Sequence, residues 1–386
     1  MNKDNINSFL DLGSTKLRFA SINSKISKAI FSDEEKCQNN LDAKKILIQD
    51  SETILDKLIK TAEKKIGTHL NDLNVLVDSK DIICIDFSIK NNFEGKIIEK
   101  SDINFLLHNA KSLIENNYNA YYVAHSIIKK YFFDDEIFYN EPASKTNCNY
   151  LALEIKFICI PKSIYIAIDK LLSKNQIKLK NLYCSSYTKS KSYNYHFKDY
   201  EMKVFLDIGH KKSILTVFNK DNLFFLNILK LGSANITKDI SSILKISEDD
   251  AEDLKYKLHK SDITFSDKTD SSYSNQMDLL KKIVFARIEE IFNLSFKNLF
   301  FFDEIKKKSS ILIFTGEGSK ILENNSIYLN SLFESFDNID YFEENPFNIC
   351  LAGHQLESEV SKIIDIKKTS KNAGFFEKIF KLFSKI

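Results

Sequence analysis

Apolar and polar positions along this chain fall into short runs that break at acid–glycine pairs. In Ser8 to Ala20, SFLDLGSTKLRFA, an apolar run stops at Asp11-Leu12-Gly13-Ser14-Thr15 and resumes in alternation, which predicts two strands joined by a tight hairpin. Lys203 to Phe218, KVFLDIGHKKSILTVF, repeats that grammar around Asp207-Ile208-Gly209. A third run, ILIFTGEGSKI from Ile311 to Ile321, predicts a buried β-branched and aromatic strand. It ends in Thr315-Gly316-Glu317-Gly318, with Ser319 placed to begin a helix.

Residues 79–157 read differently. They predict a strand, a polar turn and a second strand, then a helix with Ser101-Asp102 as its N-cap. Ile103, Leu106, Leu107, Ala110, Leu113 and Ile114 fall on one face of that helix, which makes the segment an α+β insertion. A plain continuation of the surrounding lobe is the alternative. Asn140-Glu141-Pro142 and the polar run to Asn149 predict a loop.

From Glu357 the polar stretch ESEVSKIIDIKKTSKNAG reads as a linker. Beyond it Phe375, Phe376, Ile379, Phe380, Leu382, Phe383 and Ile386 share one helical face, opposite Glu377, Lys378, Lys381, Ser384 and Lys385. Such a helix, about 18 Å long, is too short to span a bilayer but suits the membrane interface. Lys367, Lys368 and Lys371 add attraction to anionic lipid. A helix docked on the protein's own core is the alternative.

Composition narrows the function classes. At 386 residues the chain has room for two or three domains, and 43% hydrophobic with 28% charged residues is the balance of a globular protein. The net charge of +2, from 55 basic and 53 acidic residues, carries no global basic field for nucleic acid. Nearly all the basic residues are lysine, so Arg18 and Arg287 stand out. The six cysteines form no C-x-x-C and follow no signal peptide, which predicts reduced, mostly buried thiols in a cytosolic protein. The seven histidines show no metal-ligand spacing, and His108 and His125 read as structural.

Each glycine turn has the makings of a phosphate loop. Glycine permits close approach, hydroxyls and N–H groups donate, and the aspartate can hold a hydrated cation. A polar hairpin turn without ligand remains the plain alternative for each loop alone.

The ordered set resembles a known family. Two D-x-G hairpins followed by a strand ending in T-G-x-G resemble the phosphate-1, phosphate-2 and adenosine pattern of the actin-like ATPase superfamily, and within it most closely the FtsA cell-division family. FLDLGSTKLRFA resembles that family's D-I-G-T-x-K loop, with Thr15 and Lys16 in place. Lys230 to Leu254, KLGSANITKDISSILKISEDDAEDL, is similar to its G-x-x-x-x-x-D-I and A-E-x-x-K segment, through Gly232, Asp239, Ile240, Glu252 and Lys255. Ile283 to Phe302 resembles its A-R-x-x-E-I helix, and Gly353 falls where its closing A-x-G helix has glycine. Two positions depart from the pattern. Asp207-Ile208-Gly209-His210-Lys211-Lys212 replaces D-I-G-G-G-T, and Thr315-Gly316-Glu317-Gly318 carries a carboxylate where the family has T-G-G-A/G.

The resemblance implies an α/β, two-lobed actin-like ATPase fold with duplicated β-hairpin phosphate loops, an inserted small α+β domain and a C-terminal amphipathic helix. Residues 1–78 and 158–200 would form the first lobe, 79–157 the interaction domain and 201–356 the second lobe, before a linker at 357–374 and a membrane-targeting helix at 375–386. ATP with Mg²⁺ would lie between the lobes. Asp11 and Asp207 would hold hydrated Mg²⁺, and Gly13, Ser14, Thr15 and Lys16 would cradle phosphate with Gly209. Lys212 would either donate to phosphate or obstruct it. Gly316, Gly318 and Ser319 would line the adenosine, with Glu252 and Lys255 near base or ribose.

Arg287, with Lys281 and Lys282, would grip the acidic C-terminal tail of the tubulin-like protein FtsZ, a plain exposed helix charge being the alternative. Phe375, Phe376, Ile379, Phe380, Leu382 and Phe383, with Lys378, Lys381 and Lys385, would bind the membrane. The implied protein self-associates into filaments on an anionic membrane surface and recruits other division proteins through its inserted domain. It would be peripheral on the cytoplasmic side of the inner membrane at the division site, at most a weak ATPase, with no water-activating base to be named. Alternatives are a pilus-assembly actin-like adaptor ATPase, a degenerate adaptor without nucleotide, and a small-molecule kinase of the same superfamily, for which no catalytic aspartate is recognisable.

Overall fold

The computed structural model describes residues 6–42, 45–49, 51–142, 147–260, 271–297, 308–322 and 333–369. The chain opens with an antiparallel meander, β1 (Ile6–Leu12), β2 (Lys16–Asn23) and β3 (Lys28–Lys36), followed by a small hairpin of β4 (Gln38–Asp42) and β5 (Lys45–Gln49). Helix α1 (Ser51–Ile66) leads to β6 (Asp72–Val77), which pairs parallel with β1. The chain then leaves this sheet through β7 (Ile83–Ile97), α2 (Lys100–Asn117), β8 (Tyr121–Phe133), β9 (Glu136–Phe138) and β10 (Asn147–Pro161). It returns by α3 (Lys162–Ser173) to β11 (Lys178–Cys184), parallel to β6. The first sheet therefore has the order β11-β6-β1-β2-β3.

After α4 (Ser185–Tyr193) the same plan is built again. A second meander, β12 (Met202–Ile208), β13 (Ser213–Asn219) and β14 (Asn222–Leu229), is followed by α5 (Ser233–Leu244), α6 (Glu248–Lys260) and α7 (Ser271–Phe296). Strand β15 (Ser310–Thr315) pairs parallel with β12, β16 (Asn338–Tyr341) parallel with β15, and α8 (Pro346–Thr369) follows. The order β14-β13-β12-β15-β16 repeats the first sheet strand for strand. In both, the aspartate of the hairpin is the last residue but one of the central strand, Asp11 in β1 and Asp207 in β12.

Burial follows the apolar runs. β12 and β15 are buried along their whole length, as strands covered on both faces must be. In the first lobe Leu55, Leu58, Ile59 and Ala62 of α1 pack on one sheet face, while Ile349 and Cys350 of α8 meet Phe9 and Leu76 on the other. Residues 79–157 form a separate core of α2 against a sheet of order β7-β10-β8-β9. Strand β10 runs on from that sheet into the first lobe. Phe157 and Cys159 face the inserted core and Ile158 and Ile160 the lobe core, by simple strand alternation.

Four local expectations change. The polar turn within residues 79–97 is a bulge in the single long strand β7, where Glu94 and Gly95 have φ of 54° and 78° and pairing with β10 shifts register. Helix α2 starts at Lys100 rather than after a Ser101-Asp102 cap, because Asp102 in its first turn accepts the Glu99 N–H at 2.9 Å. The loop expected to reach Asn149 ends earlier, since β10 begins at Asn147. The linker expected at 357–374 is helical as far as Thr369, in a stretch without glycine or proline to stop the helix. The amphipathic segment 375–386 lies outside the described residues. Among the described residues no helix is long and apolar enough to cross a membrane.

All six cysteines are free thiols, and only Cys84 is not fully buried. His125 joins the insertion to the first lobe, its Nε2 accepting the Cys184 N–H at 2.8 Å between the rings of Tyr183 and Tyr187. Burial lowers its pKa from 6.5 to about 3, with Lys191 adding to the effect. The unfolded chain takes up that proton near pH 6.5 and the folded one only near 3, so stability is full above 6.5 and falls as pH drops through this window. The expected slope is up to about 1.4 kcal/mol per pH unit. Urea unfolding at stepped pH should show the wild-type midpoint falling faster on acidification than that of His125→Gln; equal slopes would refute this assignment.

Candidate functional site

The two acid–glycine hairpins face each other across α4. This helix, SSYTKSKSY, is almost wholly polar, yet Ser185, Ser186, Tyr187, Thr188, Lys189, Ser190 and Tyr193 are buried. Its hydroxyls make that possible. Thr188 and Ser190 donate to the carbonyls of Cys184 and Ser186, at 2.8 and 2.7 Å. Ser185 donates to Asp11 Oδ1 at 2.7 Å, and the Ser186 hydroxyl lies 2.6 Å from Asp78 Oδ2 and 2.7 Å from Asp207 Oδ2.

A cleft open to solvent lies here between the lobes. It holds five carboxylates, Asp11, Asp78, Asp207, Glu317 and Glu344, and four cationic side chains, Lys16, Arg18, Lys189 and Lys212. They are paired. Arg18 Nη1 lies 3.0 Å from Asp11 Oδ2 and its Nη2 2.9 Å from Glu317, while Lys16 bonds Glu34 at 2.8 Å and Glu317 at 3.1 Å. Lys189 lies 2.7 Å from Asp207 and 3.0 Å from Glu344. Lys212 donates to the Asp78 carbonyl at 2.6 Å.

The charges tune one another. Burial works against ionised Arg18 and Lys189, but the surrounding carboxylates outweigh it and hold both pKa values above their ordinary positions. Burial likewise opposes the Asp207 carboxylate, and Lys189 more than compensates, holding it low. At Glu344 burial prevails over Lys189 and the pKa is raised. Glu317 is pulled down to about 2, because Arg18, Lys16 and Lys320 overcome its burial. Lys212 is lowered by burial.

Gly13, Ser14, Thr15, Lys16, Gly209, Lys212 and Gly316 line the cleft with the two aspartates. Both loops are closed on themselves, with Gly13 N–H donating to Lys16 O at 3.0 Å and Gly209 N–H to Lys212 O at 2.9 Å. The carbonyls of Gly209 and His210 also accept the first N–H groups of α5, from Ser233 and Ala234, both at 2.9 Å. Gly318 and Ser319 sit behind the cleft in a 3₁₀ turn, Glu317–Leu322, where an α-helix from Ser319 was expected. The tight turn suits Ser319, whose hydroxyl reaches the carbonyls of Thr315 and Gly316, both at 2.7 Å. Glu252 and Lys255 stand apart on α6, bonded to each other at 2.5 Å and both to Thr237.

Arg287 lies on α7 and does not line this cleft; its fork is closed on Asp239 of α5, at 2.5 and 2.7 Å, with Glu290 on a third nitrogen. Lys281 and Lys282 are on the same helix, Lys282 exposed. The sequence alone marks Arg18 only as a rare arginine. It misses Asp78, Ser185, Ser186, Lys189 and Glu344, which no motif announces.

Hydrated Mg²⁺ between Asp11 and Asp207 does not fit these residues as they stand. Each aspartate already shares an oxygen with a buried cation and takes a serine hydroxyl from α4. Binding the metal would require breaking both ion pairs and crowding a further cation beside two buried ones, with Arg18 left to Glu317 and Glu34 and Lys189 to Glu344.

Residues 204–367 match the family model described as "Cell division protein FtsA". No curated protein matches the chain. Among solved structures, the chain is similar to a protein of a PilM-PilN type IV pilus biogenesis complex, at 10% identity and TM-score 0.58 over 89% of each chain. Weaker likenesses, both with TM-score 0.49 and 11% identity, are to the ethanolamine utilization protein EutJ from Carboxydothermus hydrogenoformans, over 90% of this chain and 89% of that one, and to MreB 5 of Spiroplasma citri bound to AMPPNP, over 94% and 99%. Two matching sheets, an acid–glycine hairpin in each and a T-G-x-G turn beside them make the actin-like ATPase fold, and residues 204–367, its second lobe, are similar to the FtsA family model.

Proposed function

We propose that this protein is an actin-like cell-division scaffold, which self-associates beneath an anionic membrane and tethers FtsZ filaments there. The FtsA family match over the second lobe carries this reading. The sequence of residues 375–386 supports it, with its phenylalanine face and lysine face following a long helix. Peripheral attachment at the division site and recruitment of further division proteins by the separate core of residues 79–157 belong to the same proposal. An acidic FtsZ tail would approach α7 along Lys281 and Lys282. It would meet Arg287 already held by Asp239 and Glu290, so Arg287 would shape that surface more than grip the tail.

The role requires no ATP turnover. In the resemblance ATP with Mg²⁺ sits between the lobes, and the ion pairs in this cleft leave no such place for the metal. Co-sedimentation of the full chain with anionic vesicles tests the tether. The wild type should pellet, and the variant combining Phe376→Asp, Phe380→Asp and Phe383→Asp should stay in solution. If the wild type also stays in solution, membrane attachment falls and a pilus-type adaptor becomes the better reading.

A further inference from the structure

We infer that Arg18 and Lys189 take the place of a divalent cation in this cleft, and that the chain's own ion pairs close the two lobes without Mg-ATP. The two side chains supply positive charge to the two hairpin aspartates at 3.0 and 2.7 Å, from positions only 6% exposed. Arg18 also bonds Glu34 within its own lobe at 3.3 Å, but other charged bonds in the cleft cross between the lobes. Arg18 and Lys16 of the first lobe reach Glu317 of the second, Lys189 of α4 reaches Asp207 and Glu344, and Lys212 of the second lobe reaches the Asp78 carbonyl of the first.

Three further features agree. The hairpin N–H groups of Gly13 and Gly209 are spent within their own turns, and the α5 N-terminus is capped by the second loop. That loop has His210, Lys211 and Lys212 where backbone would approach a phosphate. The lining has one more carboxylate than cation, so a polyphosphate anion would enter against the local charge. The two hairpin aspartates thus have their counter-charges within the chain, and the lobes have no need of a ligand to bridge them.

The inference concerns the cleft alone and stands whether or not residues 375–386 bind membrane. The full-length protein would be heated with Mg-ATP, with ATP and EDTA, and with Mg²⁺ alone, and its Mn²⁺ binding read by electron paramagnetic resonance. The melting temperature should be the same in all three, and Mn²⁺ should remain free. A rise of about 3 °C or more that needs both nucleotide and metal would overturn the inference. The double variant Arg18→Ala with Lys189→Ala exposes the aspartates and should gain Mn²⁺ affinity by tenfold or more. A folded double variant without that gain would overturn the replacement of metal by side chain. Should it fail to fold, the charge-removing pair Arg18→Gln with Lys189→Gln carries the same Mn²⁺ test, and the wild-type result decides on its own.

Discussion

Replacing Lys189 by methionine should destabilise the protein by about 3–5 kcal/mol, the usual consequence of removing one partner from a buried ion pair. Methionine fills much of the lysine's space, so little of the loss comes from packing. What remains is Asp207 and Glu344 in the protein interior without the ammonium that sits 2.7 and 3.0 Å from them. Asp207 then faces Asp78 across the Ser186 hydroxyl, two like charges sharing one donor. Denaturant unfolding checks the magnitude. Adding Asp207→Asn to Lys189→Met should recover part of the loss, since a neutral amide tolerates the missing cation; a double variant no better than the single one would contradict this account.

Gly316→Ala should be nearly as damaging and for a different reason. Gly316 has φ of 87°, a region side-chain-bearing residues adopt with strain. A Cβ there would also stand 2.3 Å from Asp207 Oδ1 and 2.8 Å from the Ile208 carbonyl. The second contact is with backbone and cannot be relieved by a rotamer. The β15 turn must therefore withdraw from β12, and Glu317, the next residue, moves off Arg18 and Lys16. A loss of about 2–4 kcal/mol is expected from strain combined with overpacking. Unfolding midpoints of Gly316→Ala and of the nearby Lys320→Ala, which removes only a half-buried partner of Glu317, provide the comparison; similar small losses would show that the turn yields freely.

Much of the scaffold was legible because it obeys one period at a time. The two hairpins announce themselves by strand alternation interrupted at Asp11-Leu12-Gly13 and Asp207-Ile208-Gly209, and the Ile311–Phe314 run is too apolar to be anything but buried. The centre of the cleft was not legible. Helix α4 has no apolar stripe, and its serines look like a loop until Asp11, Asp78 and Asp207 are known to surround them. Lys189 is one lysine among many, and its partner Glu344 lies far along the chain. Arg18 stood out by rarity, but the carboxylates it joins are set by strand pairing and lobe closure, neither of which local pattern contains. The helix through Thr369 is hidden in the sequence by a polar composition that suits a linker equally well, although nothing in it ends a helix.

That helix alters how the chain's last residues are presented. Ile349, Cys350 and Leu356 of α8 pack into the first-lobe core, and the helix continues to Thr369. At a rise of about 1.5 Å per residue, the extension carries the chain roughly 20 Å onward along a set direction. The residues that follow therefore leave the body from the end of a helix and not from the last strand of the second lobe. If residues 375–386 seat on a bilayer, the length of this helix adds to the reach between membrane and lobes.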